Sequence, residues 1–419
     1  MSFEVVPSFH NTTVLYQFDG SGDMHGGVQQ YINDLGRFGL GYGIEPRLFL
    51  GSGRSSHEVI QDVFDNFYAS DVDIVGRAHD IIANGSQNQL TSRPVKNVRH
   101  LLNTNEPDLV HSQHPNQPQH GGTLDKLFVA RNIPRIGTYH IDSIELVTNL
   151  AVRASGYLGR RTLSQLDAMI AVSPVAADHM QRTGYYRGEY EIIPNAVDVE
   201  GLQWTKRFTP EEIKETGAND ADQYIVFVGR PDERKGLGEL LEGYKELLPQ
   251  LPDMHKVELV VCGDGPNIEH YKEKARELGI DKQVTFMGRV DHEDKARWLA
   301  TADLAVFPAK SGESQGIILL EAMAAGAGAV IAGNNDGYAF TMEKMPSRDL
   351  VLFDANFGSA ENVETTKLNA FVEKMYVLLT NEVVRHDTHV EQQRLVRDEF
   401  DINVVGKRVM SLYHRVLSS

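Results

Sequence analysis

A single cysteine, Cys262, stands among 419 residues, so no internal disulfide can form and a reducing compartment is the expected setting. Long apolar runs are also missing. The densest, Val257-Glu258-Leu259-Val260-Val261-Cys262, has the length of a strand, far short of the ~18 residues that a spanning helix needs. The opening residues, Met1-Ser2-Phe3-Glu4, lack the basic stretch and apolar core of an export signal, which makes a cytoplasmic location the expectation. Positive charge is in deficit: 41 Lys and Arg against 58 Asp and Glu give a formal net charge of −17, and neither half of the chain is net basic. Nucleic acid is therefore not an expected partner. Tryptophan is scarce, and neither Trp204 nor Trp298 carries a functional signal. With 41% hydrophobic and 24% charged residues the chain has the composition of a packed protein of two to three domains, which excludes disorder and collagen.

Short apolar runs recur at α/β spacing, at Thr13 to Phe18, Pro46 to Leu50, Asp108 to Gln113, Arg135 to His140 and Ala168 to Ser173. Each is followed by a longer segment of helical period, the pattern of a parallel sheet. A second series begins at Tyr224 to Gly229 and continues through Glu258 to Gly263, Val284 to Met287, Leu304 to Phe307, Ala329 to Ala332 and Leu350 to Phe353. Two doubly wound α/β domains are expected, 1–200 and 201–400. A terminal helix over 401–419, with Val404, Val405, Val409, Leu412, Tyr413 and Val416 on one stripe, needs a surface to cover. Facing domains of this kind bind ligands at the carboxyl ends of their strands, so the chemistry is expected in the cleft between them.

Three segments carry the chemistry. After the first strand, Asp19-Gly20-Ser21-Gly22-Asp23-Met24-His25-Gly26-Gly27 ends where a helix begins, and backbone N–H groups at Gly26 and Gly27 could approach an anion; a simple turn with a helix cap explains the loop equally well. The second domain opens with Gly229-Arg230-Pro231-Asp232-Glu233-Arg234-Lys235-Gly236, which parks cations at a strand end where a diphosphate would need them, although a solvated charged loop reads the same way. The third runs from Pro308 to Gly326 and sets Glu313 in a loop and Glu321 in the following helix. Glu313 is placed to hold sugar hydroxyls and Glu321 the vicinal hydroxyls of a ribose, with the helix start at Gly316 and Ile317 favouring phosphate. Gly263-Asp264-Gly265-Pro266 has two of the three glycines of a dinucleotide fingerprint and then a proline, which disfavours hydride chemistry on NAD.

These residues resemble the retaining family-4 glycosyltransferases of the GT-B fold, and more closely the bacterial phosphatidylinositol α-mannosyltransferases. The likeness spans nearly the whole chain and rests on Gly26-Gly27-Val28-Gln29, Ile193-Pro194-Asn195-Ala196-Val197-Asp198, Gly229-Arg230 with Arg234-Lys235-Gly236, and the two glutamates Glu313 and Glu321 with seven residues between them. The resemblance implies a nucleotide-diphosphate sugar held by the second domain and an acceptor held by the first. Arg230 and Lys235 would neutralise the diphosphate, with Gly26 and Gly27 opposite. Gly263, Val290, His292, Lys295, Gly316, Ile317 and Glu321 would complete the donor site, Glu313 would place the sugar, and the terminal helix would cross back to the first domain. It also implies retention without a metal site, so that no cofactor is required and Mg2+ is at most a stimulant. Asp71-Val72-Asp73 reads as a loop entering a strand.

Two departures from the family pattern stand out. Lipid-acceptor relatives carry His-x-His-Glu-Pro, and this chain has His111-Ser112-Gln113-His114-Pro115, so Gln113 and His114 take the acceptor positions, with His140 as the next candidate. His111 itself reads as a structural histidine in a turn. In guanine-using relatives a carboxylate follows Gly-x-Val-Asp, where this chain has His292 with Glu293 beside it. The expected activity is transfer of mannose from GDP-mannose to an inositol phospholipid. A UDP-glucose transferase acting on a glycan, diacylglycerol or a soluble acceptor, a silent sugar-nucleotide-binding protein and a sugar-nucleotide epimerase are the rival readings. Residues 91–102 read as a short basic amphipathic helix, with Arg93, Lys96, Arg99 and His100 on one side and Val95, Val98, Leu101 and Leu102 on the other, expected either to rest on anionic lipid or to pack on the sheet.

Overall fold

A computed structural model of the chain describes all residues except 1–7, 22–26, 53–71, 75–77, 84–85, 92–93, 116–122, 142–145, 253–254 and 358–363; Gly26, Asp71 and Arg93 lie outside the described residues. The chain divides into two compact units. One comprises Met1–Ala196 with Asp401–Ser419, the other Val197–Phe400.

In the first unit the strands β1 (Thr12–Ser21), β2 (Ile44–Ser52), β3 (Val72–Ile74), β6 (Leu109–Gln113), β7 (Arg135–Tyr139), β8 (Ala168–Ala171) and β9 (Glu191–Ile192) run parallel in the order β3-β2-β1-β6-β7-β8-β9. An antiparallel pair, β4 (Ala78–Ala83) and β5 (Ser86–Thr91), joins it where Gly20 meets Asn88. The strands alternate their side chains as a two-residue period requires. Val14, Tyr16, Leu48, Leu109, Ile136 and Ile170 point to one face, where the helices Gly27–Leu40 and Ile402–Leu417 cover them. Leu15, Phe49 and Val110 point to the other face, under the helices Pro94–Thr104 and Thr123–Ala130, followed by Tyr139 and Met169 under Leu146–Leu163 and Pro174–Thr183.

The terminal helix therefore belongs to the core of the first unit. Val405, Val409, Leu412, Tyr413 and Val416 are buried there together with Ile402 and Met410. Val404, assigned to the same stripe from its spacing, is 39% exposed, because a residue directly before a buried one is rotated about 100° away from it on a helix. The apolar side of Pro94–Thr104 is likewise in use: Val98 and Leu102 pack on the sheet, while Arg99 and His100 face outward. Of the two readings of this segment, the ordinary sheet-packing helix accounts for those two residues.

The second unit holds a parallel sheet in the order β12-β11-β10-β13-β14-β15, formed by β10 (Gln223–Val228), β11 (Val257–Cys262), β12 (Val284–Gly288), β13 (Leu304–Phe307), β14 (Val330–Gly333) and β15 (Leu352–Phe353). Leu350, expected in the last strand, lies in the helical turn Arg348–Val351. Cys262 is buried in the apolar core at the end of β11, and burial pushes its thiol up, which keeps it protonated. Both sheets reverse their winding direction once, between β1 and β6 in the first unit and between β10 and β13 in the second. Neighbouring loops diverge at such a point and leave a crevice at the carboxyl ends of the two strands. Gly27, Gln113 and His114 lie at the first of these points and Arg230, Lys235 and Glu313 at the second, while His140, Gly263, Val290, His292 and Lys295 follow the neighbouring strands β7, β11 and β12.

Candidate active site

In the second unit, β10 leads through Gly229 to Pro231 into a tight turn, Glu233–Lys235, capped by Asp232, whose carboxylate accepts from the Lys235 N–H at 3.0 Å. The loop after β13 runs beside it, and the Lys310 N–H donates to the Arg234 carbonyl at 2.9 Å. This pairing brings cations and carboxylate together. Arg234 Nη1 donates to Glu313 Oε1 at 2.6 Å and to the carbonyls of Ser311 (3.2 Å) and Gly312 (3.1 Å). Lys235 Nζ donates to the same Oε1 at 2.7 Å. Burial alone would raise the Glu313 carboxyl, but the charges of Lys235 and Arg234 outweigh it and hold the group below the usual carboxylate range. Both donors converge on Oε1, which leaves Oε2 for a further donor such as a sugar hydroxyl.

Arg230, paired with Lys235 in the sequence reading, does not donate to Glu313 but joins the edge of this knot through Asp232, whose Oδ2 lies 4.0 Å from Arg234 Nη2. The Arg230 side chain is 41% exposed and its guanidinium lies 3.8 Å from the Asp232 carboxylate. The cation beside Lys235 is Arg234, to which the sequence reading gave no role although it sits in the same turn. Spacing along the chain does not reveal that the arginine inside the 3₁₀ turn, rather than the one at the strand end, reaches Glu313.

The helix Ile317–Ala325 begins at Gly316, whose φ of 87° suits glycine, and its first turn carries no side-chain cap. One turn and a residue further on, Glu321 is buried and accepts both bonds of a fork from Lys295 Nζ, at 2.8 and 2.9 Å. Lys295 lies on the helix His292–Thr301, which follows β12 and Val290 and is capped by Asp291. The expected ribose-holding carboxylate is thus already neutralised by a lysine assigned to the same site. Gly263 ends β11 so close to the tip of β10 that a Cβ there would lie 1.9 Å from the Gly229 carbonyl oxygen. That contact accounts for this glycine without any ligand.

In the first unit, β6 ends in Gln113, and His114 follows with a φ of 53°, its N–H donating to the Thr138 carbonyl at 2.8 Å. The Gln113 side-chain oxygen Oε1 accepts from His140 Nε2 at 2.7 Å. The rings of His114 and His140 meet edge to face at 5.2 Å, with Tyr31 against the other side of His140 at 5.6 Å. Two buried polar atoms here, Gln113 Nε2 and His114 Nδ1, have no partner among the described residues. Buried polar groups are rarely left unpaired, so a ligand that brings hydroxyl groups would satisfy both. Gly27 opens the helix that carries Tyr31.

His111 lies in the core, one nitrogen 2.6 Å from the Tyr413 hydroxyl and the other 2.6 Å from Thr138 Oγ1, so its role is structural as expected, but it stands on the strand β6 and not in a turn. Burial lowers His111 to about 3 and His114 to about 4, and burial followed by the charges of His114 and His111 lowers His140 well below its ordinary value. The unfolded chain therefore binds protons that the folded one refuses between about pH 6.5 and pH 4. Folding free energy from these groups is complete above pH 6.5 and drains as pH falls, by about 1.4 kcal/mol per pH unit for each histidine. Thermal melts between pH 7 and pH 4.5 should show a falling midpoint, with a shallower fall in His114→Asn.

Comparison with known proteins matches this division. A model of glycosyltransferase family 4 covers residues 25–200, and a model of glycosyl transferases group 1 covers residues 208–345. The phosphatidyl-myo-inositol mannosyltransferase of Mycobacterium tuberculosis is 30% identical over 353 residues, 82% of this chain and 84% of that one. The chain belongs to the family-4 glycosyltransferases. A mannosyltransferase of the same description from Propionibacterium freudenreichii is 28% identical across 93% of this chain and 91% of its own. Among solved structures, Anabaena HepE in complex with UDP and glucose superimposes with a TM-score of 0.72 at 15% identity, covering 97% of this chain and all of that one, which shows the GT-B fold. This family-4 glycosyltransferase is accordingly a hexosyltransferase, and its two switch-point clusters fall one in each matched region.

Proposed function

We propose that this glycosyltransferase moves mannose from GDP-mannose to an inositol phospholipid, with retention, at the cytoplasmic face of the membrane. The observation that carries the donor half is the knot of Arg234, Lys235 and Glu313 at the switch point of the second unit. A diphosphate arriving beside Lys235 and the uncapped start of the helix at Ile317 takes up cationic charge that Glu313 now neutralises, and Arg230 adds a solvent-facing guanidinium. Glu313 Oε2 then accepts from the sugar, while the ribose hydroxyls take Glu321 and Lys295 as partners. The acceptor half rests on Gln113 Nε2 and His114 Nδ1, which await hydroxyl partners next to His140. An inositol ring supplies such hydroxyls, and the relatives' description as phosphatidyl-myo-inositol mannosyltransferases favours that acceptor and a mannosyl donor.

In the transfer itself, the acceptor oxygen bonds to the anomeric carbon on the face from which the diphosphate leaves. The carbon–oxygen bond to phosphate breaks with its electron pair, and the departing phosphate oxygen takes the acceptor proton. Positioning and stabilisation of the leaving charge provide the acceleration, with no required metal and Mg2+ at most a stimulant. Among the described residues no helix is long and apolar enough to cross a membrane, so the lipid is met at its surface. At that surface Arg99 contributes charge, while Val98 and Leu102 are committed to the core.

The test is incubation with a panel of nucleotide sugars and inositol phospholipid, followed by product mass. One added hexose from GDP-mannose supports the reading, and transfer only from UDP-glucose replaces its donor. GDP at ~100 times its Kd should stabilise the fold by about 2.7 kcal/mol, several degrees in Tm. A rise with UDP and none with GDP would overturn the choice of base.

A further inference from the structure

The loop that carries Glu313 is fastened to the short helix Asp336–Thr341 at both ends of that helix. Asn335, its cap, donates from Nδ2 to the Ala309 carbonyl at 2.9 Å and accepts from the Tyr338 N–H at 3.0 Å. Thr341 Oγ1 donates to the Gln315 carbonyl. Between these ties stands Tyr338, which is 1% exposed. Its ring fills the space that a side chain at Gly316 would take: a Cβ there would lie 2.3 Å from Tyr338 Cε1 and 2.4 Å from Cδ1. Gly316 is the left-handed residue from which the uncapped helix Ile317–Ala325 starts. The phenol therefore lies against that start. The charges that act on its hydroxyl are those of Glu313, Arg234 and Asp232, so it also borders the knot of cations and carboxylate. Among the described residues this hydroxyl has no hydrogen-bond partner, although a buried phenol usually finds one.

We infer that the Tyr338 hydroxyl gives a hydrogen bond to the sugar-linked phosphate of the nucleoside diphosphate sugar. The inference rests on the donor site proposed above and adds a residue to it. An anion at the start of the helix meets backbone N–H groups with no capping side chain in front of them, and the phenol is the side chain packed against that start. Burial, followed by the charge of Glu313, holds Tyr338 well above its ordinary value. It keeps its proton and meets an anion as a donor. The neighbours decide which phosphate it serves. Glu321, the ribose-holding carboxylate, lies more than a turn along the helix, whereas Glu313, which holds the sugar, is the one whose charge reaches the phenol. When the bond from the sugar breaks, its electron pair stays on the phosphate oxygen, and a bond from a hydroxyl already held in place strengthens as that charge grows.

The change Tyr338→Phe tests it, because the ring stays against Gly316 and only the hydroxyl goes. In titration calorimetry on the full chain, the Kd of the diphosphate, GDP or UDP, is expected to rise about tenfold or more, as befits a lost hydrogen bond to a charged group. The Kd of the matching monophosphate, GMP or UMP, should stay at the wild-type value. Turnover at saturating donor and acceptor should fall by at least the same factor, and the Tm without ligand should hold. A Phe variant with the wild-type diphosphate Kd and the wild-type kcat overturns the inference. So does equal weakening of monophosphate and diphosphate together with a lower Tm, which would make Tyr338 a packing residue. In both of these cases a wild-type chain that binds the diphosphate leaves the donor site standing. A wild type that binds neither GDP nor UDP removes the donor site, and the inference with it.

Discussion

Replacing Lys235 by alanine should lower kcat by two to three orders of magnitude while leaving the fold intact. The ammonium lies 2.7 Å from Glu313 Oε1 in a turn fixed by Asp232 and Gly236, and both side chains are mostly withdrawn from water, at 20% and 11% exposure. A charge held in place before the reaction needs no reorganisation when the glycosidic bond breaks, and removing one such preorganised donor typically costs about 2.7–4 kcal/mol of transition-state stabilisation. Arg234 remains on the same carboxylate oxygen at 2.6 Å, so Glu313 is not stranded and the melting temperature should move little. Steady-state kinetics with saturating acceptor, together with a melt of the same preparation, check both halves of the expectation. Turnover that survived at the wild-type rate would remove Lys235 from the mechanism.

The second large effect is expected at a residue that touches no ligand. A Cβ on Gly337 would lie 1.8 Å from the Glu313 carbonyl oxygen, 2.5 Å from its carbonyl carbon and 3.0 Å from the Gln315 nitrogen. These are backbone atoms and cannot swing aside. Gly337→Ala must therefore displace the loop that carries Glu313 or the helix Asp336–Thr341. Overpacking of this kind costs about 1–3 kcal/mol of stability, and a ~1 Å shift of a positioning group can cost about 100-fold in rate. A lower melting temperature, a weakened GDP-induced rise and a large loss of kcat should appear together. Alanine at the exposed neighbour Asp336 should leave all three near wild type.

Much of this was legible along the chain. The parallel strands showed because each is a short apolar run followed by a helical segment, and burial on both faces demands that composition. The pair β4 and β5 escaped notice, because Ser86-Gln87-Asn88-Gln89-Leu90-Thr91 has little apolar content and none of the alternation that marks a half-buried strand. The dipeptide Asn84-Gly85, which separates the two strands in the sequence, was the signal that could have found them. Glu313, Glu321 and the cationic turn were visible because they match motifs of the family that the chain resembles, since charged residues on a loop alone read equally well as a solvated surface. Arg234, Gly337 and the partnership of Gln113 with His140 were not, since each depends on which of several near neighbours a folded loop turns inward.

The amino-acid order by itself determined the two doubly wound sheets, the switch-point loops and the charged residues placed on them, because strand and helix periodicity and local turn chemistry act over a few residues at a time. Only the tertiary structure decided that Arg234 joins Lys235 on Glu313, that Lys295 neutralises Glu321, and that Val98 and Leu102 are buried while Leu150, Tyr157 and Leu158 stand exposed. Those outcomes turn on contacts between segments far apart in the chain, where burial and charge pairing choose among side chains that local pattern leaves equivalent.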